Sequence, residues 1–270
     1  MNIVDKPQEI KKVIQSFSNE WAEHEYGQTR TWGLNVGQRK QRFIHQMDLL
    51  DPNELKGKLL LDAGCGNGEL SIGLSTLGLR VVAMDLSRSV YRAKAFDKDK
   101  KIEIVRGSVS HPPFKPNTFD IVFSSGVLHH NPDTKHAFIK LSTTVKERYY
   151  VWVYKKFSLM KASKLKLYSY HVLNKIIANS PGKLQTLLLY MILPVAMLKQ
   201  YITKNSNNTW REMMILNRDG FTPVYAHRFE PNEVIGWFKE LGYKNIKITD
   251  TEEDCGFGIL GINGINQIKL

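Results

Sequence analysis

The sequence predicts an α/β fold: a doubly wound, mostly parallel, seven-stranded sheet that carries a helical cap as an insertion. Three observations predict it. Short apolar runs of strand length alternate with amphipathic runs of helix length between residues 57 and 154. The first strand ends in a glycine-rich turn, "DAGCGNG", that opens into a helix. After Tyr154 the alternation stops for about sixty residues of helical, basic and apolar sequence, and then resumes.

The elements follow in order. Residues 1–56 are charged and bear scattered aromatics (Phe17, Trp21, Tyr26, Trp32), which suits a helical lid. "GKLLLDAGC" reads as a buried strand and "ELSIGLSTLG" as a helix ended by Gly78. "LRVVAMD" is the second strand, "SRSVYRAKAF" a helix, "KIEIVRG" the third strand and "TFDIVFSS" the fourth. "TKHAFIKLSTTV" is a helix and "RYYVWVY" the fifth strand. The helix "PNEVIGWFKELG" and two last strands, "YKNIKIT" and "FGILGIN", complete the pattern. The domain organisation expected is a lid over 1–56, a core over 57–154 and 221–270, and a cap insertion over 155–220.

A chain of 270 residues that is 42% hydrophobic buries a full core. Its two cysteines, Cys65 and Cys255, are far apart and one lies inside the glycine loop, so neither a disulfide framework nor a CxxC metal site is indicated. The polar start "MNIVDKPQEIKK" has no apolar signal region, and a cytoplasmic location is expected. The net charge of +12 is concentrated: residues 155–218 hold eleven Lys or Arg against one acid, Glu212, a net of +10.

Glycine takes positive φ freely and has no Cβ, so Gly64, Gly66 and Gly68 at a strand-to-helix turn suggest a small-molecule cradle. A dinucleotide loop reads G-x-G-x-x-G, whereas here the third glycine comes one residue early, in D-x-G-x-G-x-G from Asp62 to Gly68. The second strand ends in Asp85, whose carboxylate suits a ribose diol. An acid at the loop entrance suits a ligand carrying positive charge and suits a pyrophosphate poorly, which favours an amino-acid nucleoside.

Four stretches, "LLLDAGCGNG", "VVAMDLS", "VRGSVSHPPFKPNTFDIVFSSGVLHH" and "YVWVYKK", resemble in order and spacing the class I S-adenosylmethionine-dependent methyltransferases of the type 11 or type 12 domain branch. The resemblance covers roughly residues 57–156. "YGQTRTWG" and "FTPVYAHRFEPNEVIGWFKELGY" are similar to segments that flank this core in bacterial biosynthetic methyltransferases. The resemblance implies a Rossmann-like core and S-adenosyl-L-methionine as cofactor. It implies that Gly64, Gly66 and Gly68 wrap the methionine and ribose, that Asp62 orients the loop or the ammonium, and that Asp85 takes the ribose hydroxyls. Leu86 and Val109 would flank the adenine, and Ser124 to Gly126, with Ser125 at the centre, would face the methionine end. Two departures stand out. Ser108 replaces the usual Asp after the third strand, so the adenine amino group would meet one uncharged acceptor. "KERYY" replaces a Pro-Gly-Gly turn before the fifth strand, remote from the cofactor.

Methyl transfer from a sulfonium is an in-line displacement, so alignment and exclusion of water carry most of the catalysis. A base helps a hydroxyl or protonated amine acceptor, and His is poised for that near neutral pH. His129 and His227 are the catalytic candidates, each set against a structural reading: a loop that bonds its own helix start for His129, a partly buried packing role for His227. His130, Tyr225 and Arg228 are the substrate candidates. Tyr26 and Trp32, interleaved with Gly27 and Gly33, suggest a cofactor lid, with Arg30 or Thr29 meeting the cofactor carboxylate, while Trp21 suits packing.

Leu187 to Leu198 form twelve apolar residues in a row, flanked by Lys183 and Lys199 and broken by Pro194. This is expected to be too short and too kinked to span a bilayer. The favoured reading is a cap whose apolar face packs on the core and roofs an acceptor pocket. Peripheral contact with an anionic membrane through 155–218 is the other reading. A nucleic-acid partner is not expected, since the basic stretch carries no RNA-binding module. The function expected is methyl transfer to an oxygen, or a nitrogen, of a small or lipid-linked acceptor. A noncatalytic S-adenosylmethionine-binding subunit or sensor, and a methyltransferase acting on RNA, remain the alternatives.

Overall fold

The computed structural model describes residues 7–160, 164–204, 206–250 and 255–263. Lys161 of the basic segment and the expected core residues 251–254 and 264–270 lie outside the described residues. The sheet has seven strands in the order β3-β2-β1-β4-β5-β7-β6. They are β1 (Leu59–Ala63), β2 (Arg80–Asp85), β3 (Ile102–Arg106), β4 (Phe119–Ser125), β5 (Val145–Tyr154), β6 (Asn245–Thr249) and β7 (Gly256–Ile262). β1 pairs in parallel with β2 and β4, with Leu60 opposite both Val81 and Ile121. Only β7 runs antiparallel to its neighbours β5 and β6. The sheet order reverses between β1 and β4, so their carboxyl ends open a crevice at that point.

Both faces of the sheet are covered, which is why the strands are apolar at nearly every position. Alternate side chains feed two separate cores. Leu61, Val122, Tyr149 and Val151 pack with Phe138 of α5 (Thr134–Ser142) and Trp237 and Phe238 of α9 (Pro231–Glu240). Leu60, Ile121, Phe123 and Tyr150 pack with Phe43 of α2 (Val36–Gln46) and Leu74 of α3 (Glu69–Ser75). α2 is started by a capping box between Asn35 and Gln38, and α4 (Ser89–Phe96) links β2 to β3.

Between β5 and α9 lie α6 (Lys164–Asn179), α7 (Gly182–Thr203) and α8 (Trp210–Phe221), which share a third, smaller core around Ile177, Leu189, Leu193 and Met214. One expectation is corrected here. The helix runs unbroken through Pro194 for 22 residues, long and apolar enough to cross a membrane by length and composition. Its apolar residues also divide differently from the favoured reading, because a full stripe of them is exposed rather than packed.

The N-terminal segment lies against α8. Ser16 on α1 (Pro7–Ala22) shares a 2.6 Å hydroxyl hydrogen bond with Thr222, Arg218 donates to Glu23 at 3.0 Å, and Arg211 meets Glu25. Arg30 grips Glu212 by its backbone N–H and by the Nε–Nη2 edge of its guanidinium at 2.8 to 2.9 Å.

Candidate active site

The turn after β1 is shaped by its neighbours. Gly64, Gly66 and Gly68 have φ of +97°, +57° and +74°. At Gly66 a Cβ would lie 2.3 Å from the Trp21 indole, and at Gly68 one would lie 2.6 Å from the Ala93 Cβ. Gly66 therefore lets α1 close on the loop, and Gly68 lets α3 and α4 approach. Asp85, at the end of β2, is fixed by two backbone donors: Gly66 N–H reaches Oδ2 at 2.9 Å and Ser87 N–H reaches Oδ1 at 2.7 Å. The Ser87 and Ser89 hydroxyls bond the same carboxylate. Burial raises this carboxyl above its ordinary range, against the pull of those bonds.

Asp85, Leu86, Ser108, Val109, Ser125 and His130 line one narrow cleft, of about 80 Å³. Gly64 is at its floor, and Val13, Ile14, Phe17 and Trp21 of α1 form its roof. Trp21, read from sequence as packing, does pack on the loop and also faces the cleft. Ser108 lines this cleft, with its Oγ accepting from Ser110 N–H at 3.2 Å.

A second cavity, of about 600 Å³, lies at the carboxyl ends of β4 and β5, between Trp152, Tyr154, Cys255 and the segment Ser206 to Asn208. Trp32, Ser125, Gly126 and Asp219 line both cavities, so the two adjoin at these four residues. Asp219 accepts from the Tyr154 hydroxyl at 3.1 Å. Burial raises its carboxyl to about 6, with the Tyr154 and Trp32 hydrogen bonds lowering it in part.

The cleft is acidic. Glu20 on α1 is 2% exposed, and its Oε2 is buried with no hydrogen-bond partner. Burial first, then Asp219 and Asp85, pushes its carboxyl well above the ordinary range. Beside the cleft, a small recess shares Trp21, Trp32, Gly64 and Ser125 with it and is walled by Arg39, Arg42 and Asp62. Asp62 accepts from Ser71 Oγ at 2.6 Å, and burial raises it to about 6.

His129 is fully buried in the wall of the larger cavity, with neither ring nitrogen hydrogen-bonded and its ring 4.0 Å from that of Tyr154. Burial, then the nearby His130, lowers it well below the ordinary imidazole range. His130 Nδ1 lies 2.7 Å from the Tyr225 carbonyl, which fixes the proton on Nδ1 and leaves Nε2 as a buried lone pair at the cleft. Burial brings it to about 4.

Several expected residues are not brought to the site. Tyr26 packs on Phe96 at 4.7 Å, outside the cleft, because the turn at Gly27 carries it over α4. His227 lines neither cavity; its N–H donates to the His129 carbonyl at 2.9 Å, so it braces the loop that holds His129. Arg228 lines neither cavity; it lies over Phe157 at 3.9 Å and over Tyr154 of the larger cavity's wall at 5.0 Å, and donates to the Lys155 carbonyl. Tyr225 contributes its carbonyl to His130 while its side chain lines neither cavity. Arg30 is engaged by Glu212 and Asn207, and Thr29 Oγ1 accepts from Glu25 N–H, so the cationic groups at the recess are instead Arg39 and Arg42. Glu20, Arg39 and Asp219 are the residues that the sequence reading missed. They come from helices outside the strand-end motifs, and no local pattern marks them.

Residues 61–152 match the family model described as a methyltransferase domain. A ubiquinone biosynthesis O-methyltransferase of Aliivibrio fischeri is 31% identical over 138 residues, 47% of this chain and 53% of that protein. The chain thus matches about half the length of that relative. Among solved structures, magnesium protoporphyrin IX methyltransferase from Synechocystis, with bound SAH, superposes with a TM-score of 0.54 at 18% identity over 94% of this chain and 99% of that one. A 1,6-didemethyltoxoflavin-N1-methyltransferase from Burkholderia thailandensis gives 0.52 at 13% identity, covering 97% and 92%. At these identities the structural likeness is one of fold. The domain match makes residues 61–152 a methyltransferase domain, set in a fold that both structural neighbours share.

Proposed function

We propose that the protein moves a methyl group from S-adenosylmethionine to an oxygen, or a nitrogen, of a small or lipid-linked acceptor held in the larger cavity. The observation that carries this reading is that two cavities adjoin at Trp32, Ser125, Gly126 and Asp219, which line both. An in-line displacement needs a donor site and an acceptor site that meet at one point and are otherwise separate.

The residues fit the donor. A nucleoside with a sulfonium and an ammonium is cationic at its methionine end, and the cleft offers Glu20 Oε2 without a partner, Asp219 and Asp85. Asp85 would hold the ribose hydroxyls, with Leu86 and Val109 against the base and Ser108 at its edge. Arg39 and Asp62 both line the recess, a cation and a carboxyl suited to an amino acid's carboxylate and ammonium. When bound, the cofactor supplies an activated methyl group on sulfur.

The chain's own residues do the rest. Trp21 and Phe17 keep water from the donor side. Asp219, where the two cavities adjoin and with its carboxyl raised to about 6 by burial, is the group we assign to take the acceptor's proton, with the Tyr154 hydroxyl holding its orientation. His129 is a weaker base, since burial disfavours its charged form, and its unpartnered nitrogens suit hydrogen bonding to the acceptor. Oxygen is placed first because the Aliivibrio relative is an O-methyltransferase; the Burkholderia neighbour, an N1-methyltransferase, keeps nitrogen open.

The test is to incubate the protein with labelled S-adenosylmethionine and a panel of phenolic, enolic and amine acceptors. Label transfer that Asp219→Asn removes while donor binding, weakened by the lost charge, can still be saturated supports the reading. Donor binding with no transfer to any acceptor favours the noncatalytic alternative, and Asp219→Asn at full activity removes Asp219 from the chemistry.

A further inference from the structure

The outer surface of the inserted helices carries no role in the reading above. On α7 the side chains of Leu184, Leu187, Met191, Val195, Leu198 and Ile202 recur every three or four residues and are all exposed, Val195 to 67% and Ile202 to 68%. That spacing places them on one stripe along the whole helix. The opposite stripe, Gln185, Leu189 and Leu193, is buried against α6 and α8. Val172, Leu173 and Ile176 of α6 are exposed as well and enlarge the apolar surface. An apolar face of this extent is uncommon on a surface that meets only water.

What surrounds the stripe identifies its partner. Lys175, Lys183, Lys199 and Lys204 are exposed on α6, α7 and the turn after it, and the sequence holds no acid from residue 155 to residue 211. Tyr190, Tyr201 and Trp210 are exposed beside it, residue types whose rings favour the boundary between headgroups and acyl chains. A second copy of this chain fits poorly, because a two-fold contact through this face would set lysines against lysines with no carboxylate between them. A spanning helix also fits poorly, because one side of α7 is already committed to α6 and α8 within the protein.

We propose that the α6–α7 face docks on an anionic lipid bilayer, with α7 lying in the plane of the interface. The apolar stripe enters the acyl boundary and the lysines meet the anionic headgroups. The proposal is independent of the methyl-transfer reading, since it uses no residue of the donor cleft or of the acceptor cavity.

The experiment is sedimentation of the full chain with vesicles of phosphatidylcholine alone and of phosphatidylcholine mixed with phosphatidylglycerol, at low and high salt. The wild type is expected to sediment with the mixed vesicles, to stay in solution with the neutral ones, and to be released by high salt. The triple variant Leu187→Gln, Met191→Gln, Val195→Gln is expected to lose about tenfold or more of the partitioning, since each change withdraws apolar area from the bilayer. The double variant Lys183→Glu, Lys199→Glu alters only exposed charges and is expected to lose binding to the mixed vesicles with its melting temperature unchanged. Wild type that stays in solution with both vesicle types overturns the proposal. So does equal sedimentation with both, or unchanged binding in the double variant. A concentration-dependent dimer that the triple variant dissolves, with no vesicle binding, assigns the face to self-association and overturns it too.

Discussion

Asp85 and Asp219 place a carboxylate at the far end and at the near end of the donor cleft. Asp85→Ala removes the group that Gly66 and Ser87 hold in place, and donor affinity should fall by about a hundredfold, the loss of roughly two charge-assisted hydrogen bonds; titration calorimetry reads this directly. Asp219→Asn keeps the shape and loses the charge. Turnover should fall by about 10² to 10⁴, the usual share of a general base. In the wild type, kcat/KM should rise as pH climbs through about 6, because the Asp219 carboxyl becomes an anion there, and the variant's residual rate should lack that limb. These two residues also show what the sequence discloses. Asp85 was legible because it ends a predicted strand at a fixed distance from the glycine turn. Asp219 was not, because its place beside both cavities depends on how α8 packs against α1 and carries Asp219 to the Tyr154 hydroxyl, a tertiary fact with no local signature. Tyr26 misled for the converse reason: glycine beside an aromatic signals a shaped loop, yet does not say which way the loop turns.

Elements show the same division. Each strand and helix of the core could be read from period and length, because strands buried on both faces must be apolar throughout and their flanking helices must be amphipathic. α7 was legible as apolar but not as continuous. Pro194 removes one backbone donor, and the helix nevertheless runs on to Thr203, since a single missing bond in a long helix is outweighed by the packing of Leu189 and Leu193 before it and of Ala196 and Met197 after it. The joint between the N-terminal segment and α8 was not legible at all. Arg30 and Glu212 are far apart in sequence, and only the folded chain makes them a fork. The Arg30 hydrogen bond holds the Glu212 carboxyl at about 2. That folded value lies below the unfolded one, so the joint contributes stability above the ordinary carboxylate pKa and loses it as pH falls toward 2. Glu212→Gln at neutral pH should cost about 1–3 kcal/mol, read from a denaturant midpoint. Because the same segment carries Trp32 and follows α1, the variant should also bind the donor more weakly.

For the molecule as a whole, two sets of buried groups act on stability between pH 4 and pH 6.5. His129 and His130 have folded pKa values below the unfolded one, so the unfolded chain takes up protons that the native state refuses, and stability falls as pH drops below about 6.5. Asp62 and Asp219, raised to about 6, act with the opposite sign, because the native state keeps protons that the unfolded chain releases as pH rises from about 4. The difference isolates the histidines: a His129→Asn, His130→Asn variant should lose less stability than the wild type between pH 7 and pH 4.5, as followed by thermal melts. The cleft holds carboxylates that a cation would satisfy, in a fold whose sheet order opens at that point. The most direct measurement is therefore calorimetric titration of the protein with S-adenosylmethionine and, in parallel, with NAD, repeated on Asp85→Ala. The account predicts that S-adenosylmethionine alone binds, at one site, and that Asp85→Ala loses it. Binding of NAD with no binding of S-adenosylmethionine, or donor affinity untouched in Asp85→Ala, would contradict it.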